Sequence, residues 1–144
     1  MLKALSIIGF LGMAGGILAQ LATGNLLSPS PLVIGVQIGA ALLMFWARRT
    51  FGRRSFHAAA NPTAGGLVTS GPYRYIRHPI YTAVSVFSVA GVIGNLSWTG
   101  ALLGAVVLGC ALVRIFCEET MVSVLYPEYR EYAARTWRMI PYVF

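Results

Sequence analysis

The stretch that decides the fold is Ala4–Ala47, ALSIIGFLGMAGGILAQLATGNLLSPSPLVIGVQIGAALLMFWA, which carries no charged residue over 44 positions. One membrane span needs about 20 apolar residues, so this run is too long for one and suits two. It breaks at Thr23-Gly24-Asn25 and again at Ser28-Pro29-Ser30-Pro31, residue types that favour turns over helix. The reading is a first helix over 5–22 and a second over 32–47. The first helix has an apolar stretch of 18 residues behind a single Lys3. That is longer than the core of a cleaved secretory signal, so the segment is expected to remain as a span.

A second charge-free run, Pro79–Val113, breaks at Gly94-Asn95-Leu96-Ser97. It predicts a tight hairpin of a third helix over 81–93 and a fourth over 98–116. The fold class is therefore all-α and integral to a membrane: four transmembrane helices, with the middle loop and a C-terminal interfacial helix forming any site. At 144 residues the chain suffices for a single domain, 1–144. Composition agrees. Hydrophobic residues are 57% and charged residues 10%, against about 25% charged in soluble domains.

Charge placement predicts topology. Of the eleven basic residues, Lys3 precedes the first span. Arg48, Arg49, Arg53, Arg54, Arg74 and Arg77 lie between the second and third, and Arg114, Arg130, Arg135 and Arg138 close the chain. The two short turns hold none. Four spans put every basic residue on one side, which by the positive-inside rule places both termini in the cytoplasm. The net charge of +7 is thus read as a membrane face. No aromatic-basic interleaving suggests nucleic acid as a partner. Cys110 and Cys117 lie about 10 Å apart in height on one helix, too far for a disulfide, and lack Cys-x-x-Cys spacing, so no metal site is expected. Gly12-x-x-x-Gly16, Gly35-x-x-x-Gly39 and Gly100-x-x-x-Gly104 offer faces for close helix approach. A four-helix bundle needs such faces internally, and a homodimer is the alternative use.

The chemistry-bearing residues gather on the basic side. All four acids fall between 118 and 131, and both histidines between 57 and 78. The loop reads Gly65-Gly66-Leu67-Val68-Thr69-Ser70-Gly71-Pro72-Tyr73-Arg74-Tyr75-Ile76-Arg77-His78-Pro79-Ile80-Tyr81. Pro79 suits the first turn of the third helix, which sets His78 at a helix N-terminus beside exposed N–H groups. Arg114 and Glu118 are spaced i,i+4 and can face each other. Ionisable groups this close to an apolar span are functional candidates. After Pro127 comes an amphipathic segment, Glu128–Arg138, expected to lie on the headgroups.

The string RHPIY after GPYRY, the Glu118-Glu119 pair at the end of a hydrophobic hairpin, then YPEYREY and RTWRMIP, resemble the isoprenylcysteine carboxyl methyltransferase family and the related phospholipid methyltransferases. The resemblance covers about residues 65–141. It implies a membrane enzyme using S-adenosylmethionine. Leu67, Val68, Tyr73, His78, Pro79, Ile80 and Tyr81 would line the cofactor pocket, and Glu118 would hold the cofactor's amino group. Arg114 matches a position that handles the methyl acceptor, and Arg138 a frequent arginine before the terminal proline. Ala83 stands where the family often has glycine, Thr136-Trp137 replaces a usual Val-Pro, and Gly65-Gly66 offers no polar side chains. These departures bear on the substrate.

The residues themselves fit that cofactor: an acid for its ammonium, donors for its carboxylate, an aromatic wall for its base. The expected acceptor is a lipophilic molecule entering from the bilayer, isoprenylcysteine-like, methylated on a carboxylate. Such a group is already ionised, with an α-carboxyl pKa of about 3.3–3.7, and needs no base. Arg114 could orient it through a charge-assisted pair. An amine acceptor, as in a phospholipid, would draw Glu119 or His78 into proton removal. A thiol is a further option. Arg114, Glu119 and Arg138 are the candidate catalytic residues. The reading from another class is a non-catalytic membrane scaffold that keeps the fold.

Overall fold

The computed structural model of the protein describes residues 1–52 and 66–144; Arg53, Arg54, His57 and Gly65 of the loop lie outside the described residues. The chain forms α1 (Leu2–Ala22), α2 (Pro31–Phe51), a 3-10 turn (Gly71–Arg74), α3 (Pro79–Asn95), α4 (Trp98–Leu125) and a short α5 (Tyr129–Ala134). Among the described residues there is no strand, and the one β-type pairing is an isolated parallel bridge between Ile76 and Trp137. The protein is an all-α integral membrane protein. Helices α1, α2 and α4 are long and apolar enough to cross a membrane. Helix α3, with 17 residues, is about 25 Å long. That is a little under a typical hydrocarbon core of about 30 Å.

Local chemistry sets the helix ends. Helix α1 stops where Thr23 Oγ1 donates back to Ala19 O (2.8 Å) and Gly24 takes a positive φ of 69°. Pro31 opens α2, and Pro79 opens α3, where a missing N–H costs nothing. Ser97 caps α4, its hydroxyl accepting from Gly100 N at 2.9 Å.

Three boundaries differ from the expectation by four residues or more. Helix α2 runs on through Arg48 and Arg49 to Phe51, and α4 continues past Phe116 to Leu125, carrying Glu118 and Glu119 on helix. The predicted C-terminal helix over 128–138 is only Tyr129–Ala134; residues 135–138 turn away and pair with the loop before α3. Charge marks where a helix leaves the apolar layer and not where its hydrogen bonding stops.

In the bundle, α1 packs on α4, α4 on α3, and α3 on α2. The core is Met13, Tyr81, Val107, Ala111, Ile115 and Met139. Two glycine faces are consumed inside it. A Cβ at Gly16 would lie 2.7 Å from Val107, and one at Gly12 2.6 Å from the Cys110 sulfur. Gly100 and Gly104 abut Asn25 and Val92. Gly35 and Gly39 meet nothing within 4 Å. The closest approach is at Gly91, where a Cβ would sit 2.1 Å from Leu26 O, so the 23–31 turn presses directly on α3.

Candidate active site

Helix α4 delivers its two adjacent glutamates to different surroundings, because neighbours on a helix point about 100° apart. Glu119 faces α3 and the C-terminal tail. Its Oε1 accepts from Arg77 Nε (2.9 Å) and lies 3.3 Å from His78 Nε2; its Oε2 accepts from Arg138 Nε (2.9 Å). The side chain is 13% exposed. Glu118 faces Tyr81 and Arg114. Its Oε1 accepts from the Tyr81 hydroxyl and from Arg114 Nη2 (3.2 Å). Its Oε2 takes no hydrogen bond among the described residues; His78 Nδ1 approaches it at 3.8 Å. Glu118 is twice as open, 26% exposed.

His78 stands between the two carboxylates. It is the N-cap residue of α3, buried, its ring 5.8 Å from that of Tyr81. Its backbone is pinned from the tail, since His78 N donates to Arg138 O (2.9 Å) and Arg77 N to Trp137 O (2.7 Å). Thr82, one turn on, donates to His78 O and Met139 O. Loop, tail and α3 are thus joined through backbone groups, which no residue pattern discloses.

Arg114 is buried at 3% exposure. Its Nε donates to the Tyr81 hydroxyl (2.6 Å), Nη1 to Ser6 O of α1 (2.9 Å) and Nη2 to Glu118, with the Phe10 ring 5.3 Å from its guanidinium carbon. Its donors hold protein groups. Arg138 is the more open guanidinium, 34% exposed and held between the Phe116 and Phe144 rings.

Tyr73 is buried beside Phe51, ring centroids 5.4 Å apart, and its carbonyl accepts from the Tyr132 hydroxyl (2.7 Å). Burial pushes the Tyr73 hydroxyl pKa up, and Tyr132 and Glu118 add to it. Burial raises that of Tyr132 to about 12 against a lowering pull from Arg77. Tyr129 is raised by burial and by Glu119. All three stay neutral donors at ordinary pH. Leu67 and Val68 are half-buried in the segment leading to the 3-10 turn, Pro79 is buried, and Ile80 is half-buried in the first turn of α3. Ala83 is buried.

The structure therefore gathers His78, Tyr81, Arg114, Glu118, Glu119 and Arg138 into one cluster, with Tyr73 beside it. Sequence reasoning placed Arg77 among the topology charges and at the head of the RHPIY string but gave it no site role, yet its side chain is 9% exposed and sits on Glu119. Its place directly before His78 was the available signal. Tyr132 and Thr136 were missed as well. Among the described residues no group of His, Cys, Asp and Glu is arranged to hold a metal ion.

Next to the cluster, an open apolar groove of about 410 Å³ runs along α3. Val33 and Val36 of α2, Thr82, Ser85 and Val89 of α3, and Met139 of the tail line it. The Ser85 hydroxyl in its wall is buried with no hydrogen-bond partner among the described residues.

The apolar bundle thus ends in a carboxylate–guanidinium–imidazole cluster. Residues 27–129 match the model of the phospholipid methyltransferase family. The chain belongs to that family. The match takes in α2, which bears no recognisable motif, and excludes α1 and most of the tail. The chain is similar to the cobalt-zinc-cadmium resistance protein CzcN of Cupriavidus metallidurans, 35% identical across 52% of this chain and 35% of that protein. It is also similar to the nickel-cobalt-cadmium resistance protein NccN of Alcaligenes xylosoxydans xylosoxydans, 32% identical across 52% of this chain and 36% of that protein. The shared segment spans about a third of each relative's length. No solved structure gives a significant match.

Proposed function

We propose that the protein is a membrane methyltransferase using S-adenosylmethionine, acting on a lipophilic acceptor that reaches the site from the bilayer. The observation that carries this reading is the inequality of the two glutamates. Glu119 has both oxygens engaged by cationic groups, whereas Glu118 Oε2 takes no hydrogen bond among the described residues and lies 3.8 Å from His78 Nδ1. A cofactor with an ammonium group needs one such carboxylate oxygen, fixed in direction and unspent. Tyr81 and Arg114 fix the direction by holding Oε1. Tyr73, with Leu67 and Val68, offers the apolar and aromatic side suited to a purine. When bound, the cofactor supplies an electrophilic methyl group on a sulfonium.

The chain's own work is alignment, which can account for much of the acceleration of an in-line transfer. The apolar groove beside α3 is suited to a hydrocarbon chain, and Arg138 is the most exposed of the guanidinium groups in the cluster, placed to meet an acceptor carboxylate. Arg114 could do so only by exchanging Ser6 O or Tyr81 for the acceptor. A carboxylate acceptor, isoprenylcysteine-like, asks for no proton removal, and a Glu119 already holding two guanidinium groups is a poor base. The family match favours a second reading, a phospholipid amine, in which His78 is the group placed to take the proton. In this reading residues 1–144 act as one domain, with the ion-paired end of the bundle facing the cytoplasm and both termini there.

Calorimetry on detergent-solubilised protein tests the cofactor. The wild type is expected to bind S-adenosylmethionine, and Glu118→Gln to lose about 10- to 100-fold, the worth of a charged hydrogen bond. No binding by the wild type overturns the enzyme reading in favour of a scaffold. Incubating membranes with labelled methyl donor separates the acceptors. A methyl ester releases its label as methanol in alkali, and an N-methyl group does not.

A further inference from the structure

Arg77, its side chain 9% exposed, sits among three segments that are far apart in sequence. Its Nε holds Glu119 of α4. Its Nη1 donates to Ala133 O (2.9 Å), to Thr136 O, and weakly to Thr136 Oγ1 (3.5 Å). Its own backbone N–H donates to Trp137 O, and the next one, of His78, to Arg138 O. One residue thus ties the start of α3 to the glutamate helix and to the tail. A guanidinium can do this because its donors are fixed in a plane and point in several directions; an ammonium is a point charge and cannot hold all these partners in that geometry.

The consequence falls on the neighbouring glutamates. They are adjacent, at the same level of α4, and both within 4 Å of the His78 ring. Chemically they are interchangeable ligands for a cation. What separates them is that Arg77 and Arg138 occupy Glu119 and that the tail carrying Arg138 is held in place through Arg77.

We propose that Arg77 is the positioning residue of this site: it commits Glu119 to the protein, latches residues 133–137 over the start of α3, and so fixes His78 with Glu118 as the one carboxylate open to ligand. Arg77 touches neither cofactor nor acceptor and acts through Glu119 and the tail. This rests on the reading of Glu118 as the cofactor's partner.

The test uses the full chain in lipid nanodiscs, with Arg77→Lys, Glu119→Gln and the double variant. Two readouts are taken: affinity for S-adenosylmethionine by calorimetry, and amide hydrogen exchange. Arg77→Lys is expected to weaken binding about tenfold and to speed exchange at amides 77, 78 and 137 by a similar factor. Amides inside α1 and α4 should stay as protected as in the wild type, which separates positioning from general loosening. The double variant should bind no worse than the weaker single within about twofold, since groups in one network do not add. Unchanged exchange at amides 77, 78 and 137 overturns the proposal, and so does a multiplicative loss in the double variant. If the wild type binds no cofactor, the enzyme reading falls. The exchange measurement alone then decides whether Arg77 is the latch.

Discussion

The two ends of the bundle are held by different chemistry. At the end formed by the 23–31 and 94–97 turns, every bond is neutral. Gln37 Nε2 donates to Leu26 O (2.7 Å) and Phe87 O (3.2 Å), Asn95 to Leu27 O and Gly91 O, and Ser28 to Gly94 O. Ser97 donates to Asn25. At the other end lie all the ion pairs of the described residues, from Arg77 to Arg138. Amides and hydroxyls bonded to carbonyls satisfy a buried turn without importing charge into the membrane, where charge is costly. The neutral end holds the turns against the helices, and the ionic end carries the candidate site.

That division can be broken by unequal mutations. The largest effect is expected from Gly91→Val, which places side-chain atoms on the Leu26 carbonyl. The turn must move, at a cost of about 3 kcal/mol, and thermal unfolding in detergent should fall accordingly. Cofactor affinity of the protein that remains folded should not change. If affinity drops in step with stability, the two ends are coupled and the division fails. Gln37→Leu comes next. It leaves two carbonyls without their donor and should cost about 1 kcal/mol, read by the same melt, again with affinity unchanged.

Tyr132→Phe sharpens the other side. It removes the bond to Tyr73 O and should cost under about 1 kcal/mol, but here affinity should fall with it, because Tyr73 borders the cluster. The same hydroxyl gives a pH signature. Its folded pKa of about 12 is above the ordinary tyrosine value of about 10, so the folded state keeps the proton longer. Stability from this group is complete below pH 10 and is lost as pH rises through about 12. Tyr132→Phe should flatten that alkaline loss, and an unaltered pH–stability profile would contradict it.

Much of the fold was legible because membranes simplify the code. Two charge-free runs, each broken by turn residues, locate the helices, and the i,i+4 spacing of Arg114 and Glu118 gives their contact. The errors share a cause. Helices α2 and α4 outrun their apolar cores, since backbone hydrogen bonding continues through Arg48, Arg49, Glu118 and Glu119. The predicted helix over 128–138 fails after Ala134 because Trp137 and Arg138 find partners in the backbone of residues 75–78 and Thr136 O in the Arg77 side chain. A pairing between a loop and a tail some 60 positions apart leaves no periodicity to read. Arg77 was hidden for the same reason. The resemblance alone set Glu118 apart from Glu119; only three-dimensional placement shows that arginines hold both oxygens of Glu119 and one of Glu118.

The contact between Ser6 and Arg114 has a bearing on how such chains diversify. Likeness to the family begins at residue 27, yet the carbonyl of Ser6 and the ring of Phe10 hold the guanidinium that aims Glu118. The carbonyl is supplied by the main chain, so no particular side chain is called for there. The helix must still cross at that height and stay narrow, since a Cβ at Gly9 would stand 3.0 Å from the Arg114 side chain, one at Gly12 2.6 Å from the Cys110 sulfur and one at Gly16 2.7 Å from Val107. The demand on α1 is thus for position and slimness along one face, met by glycines where the partner helix comes closest.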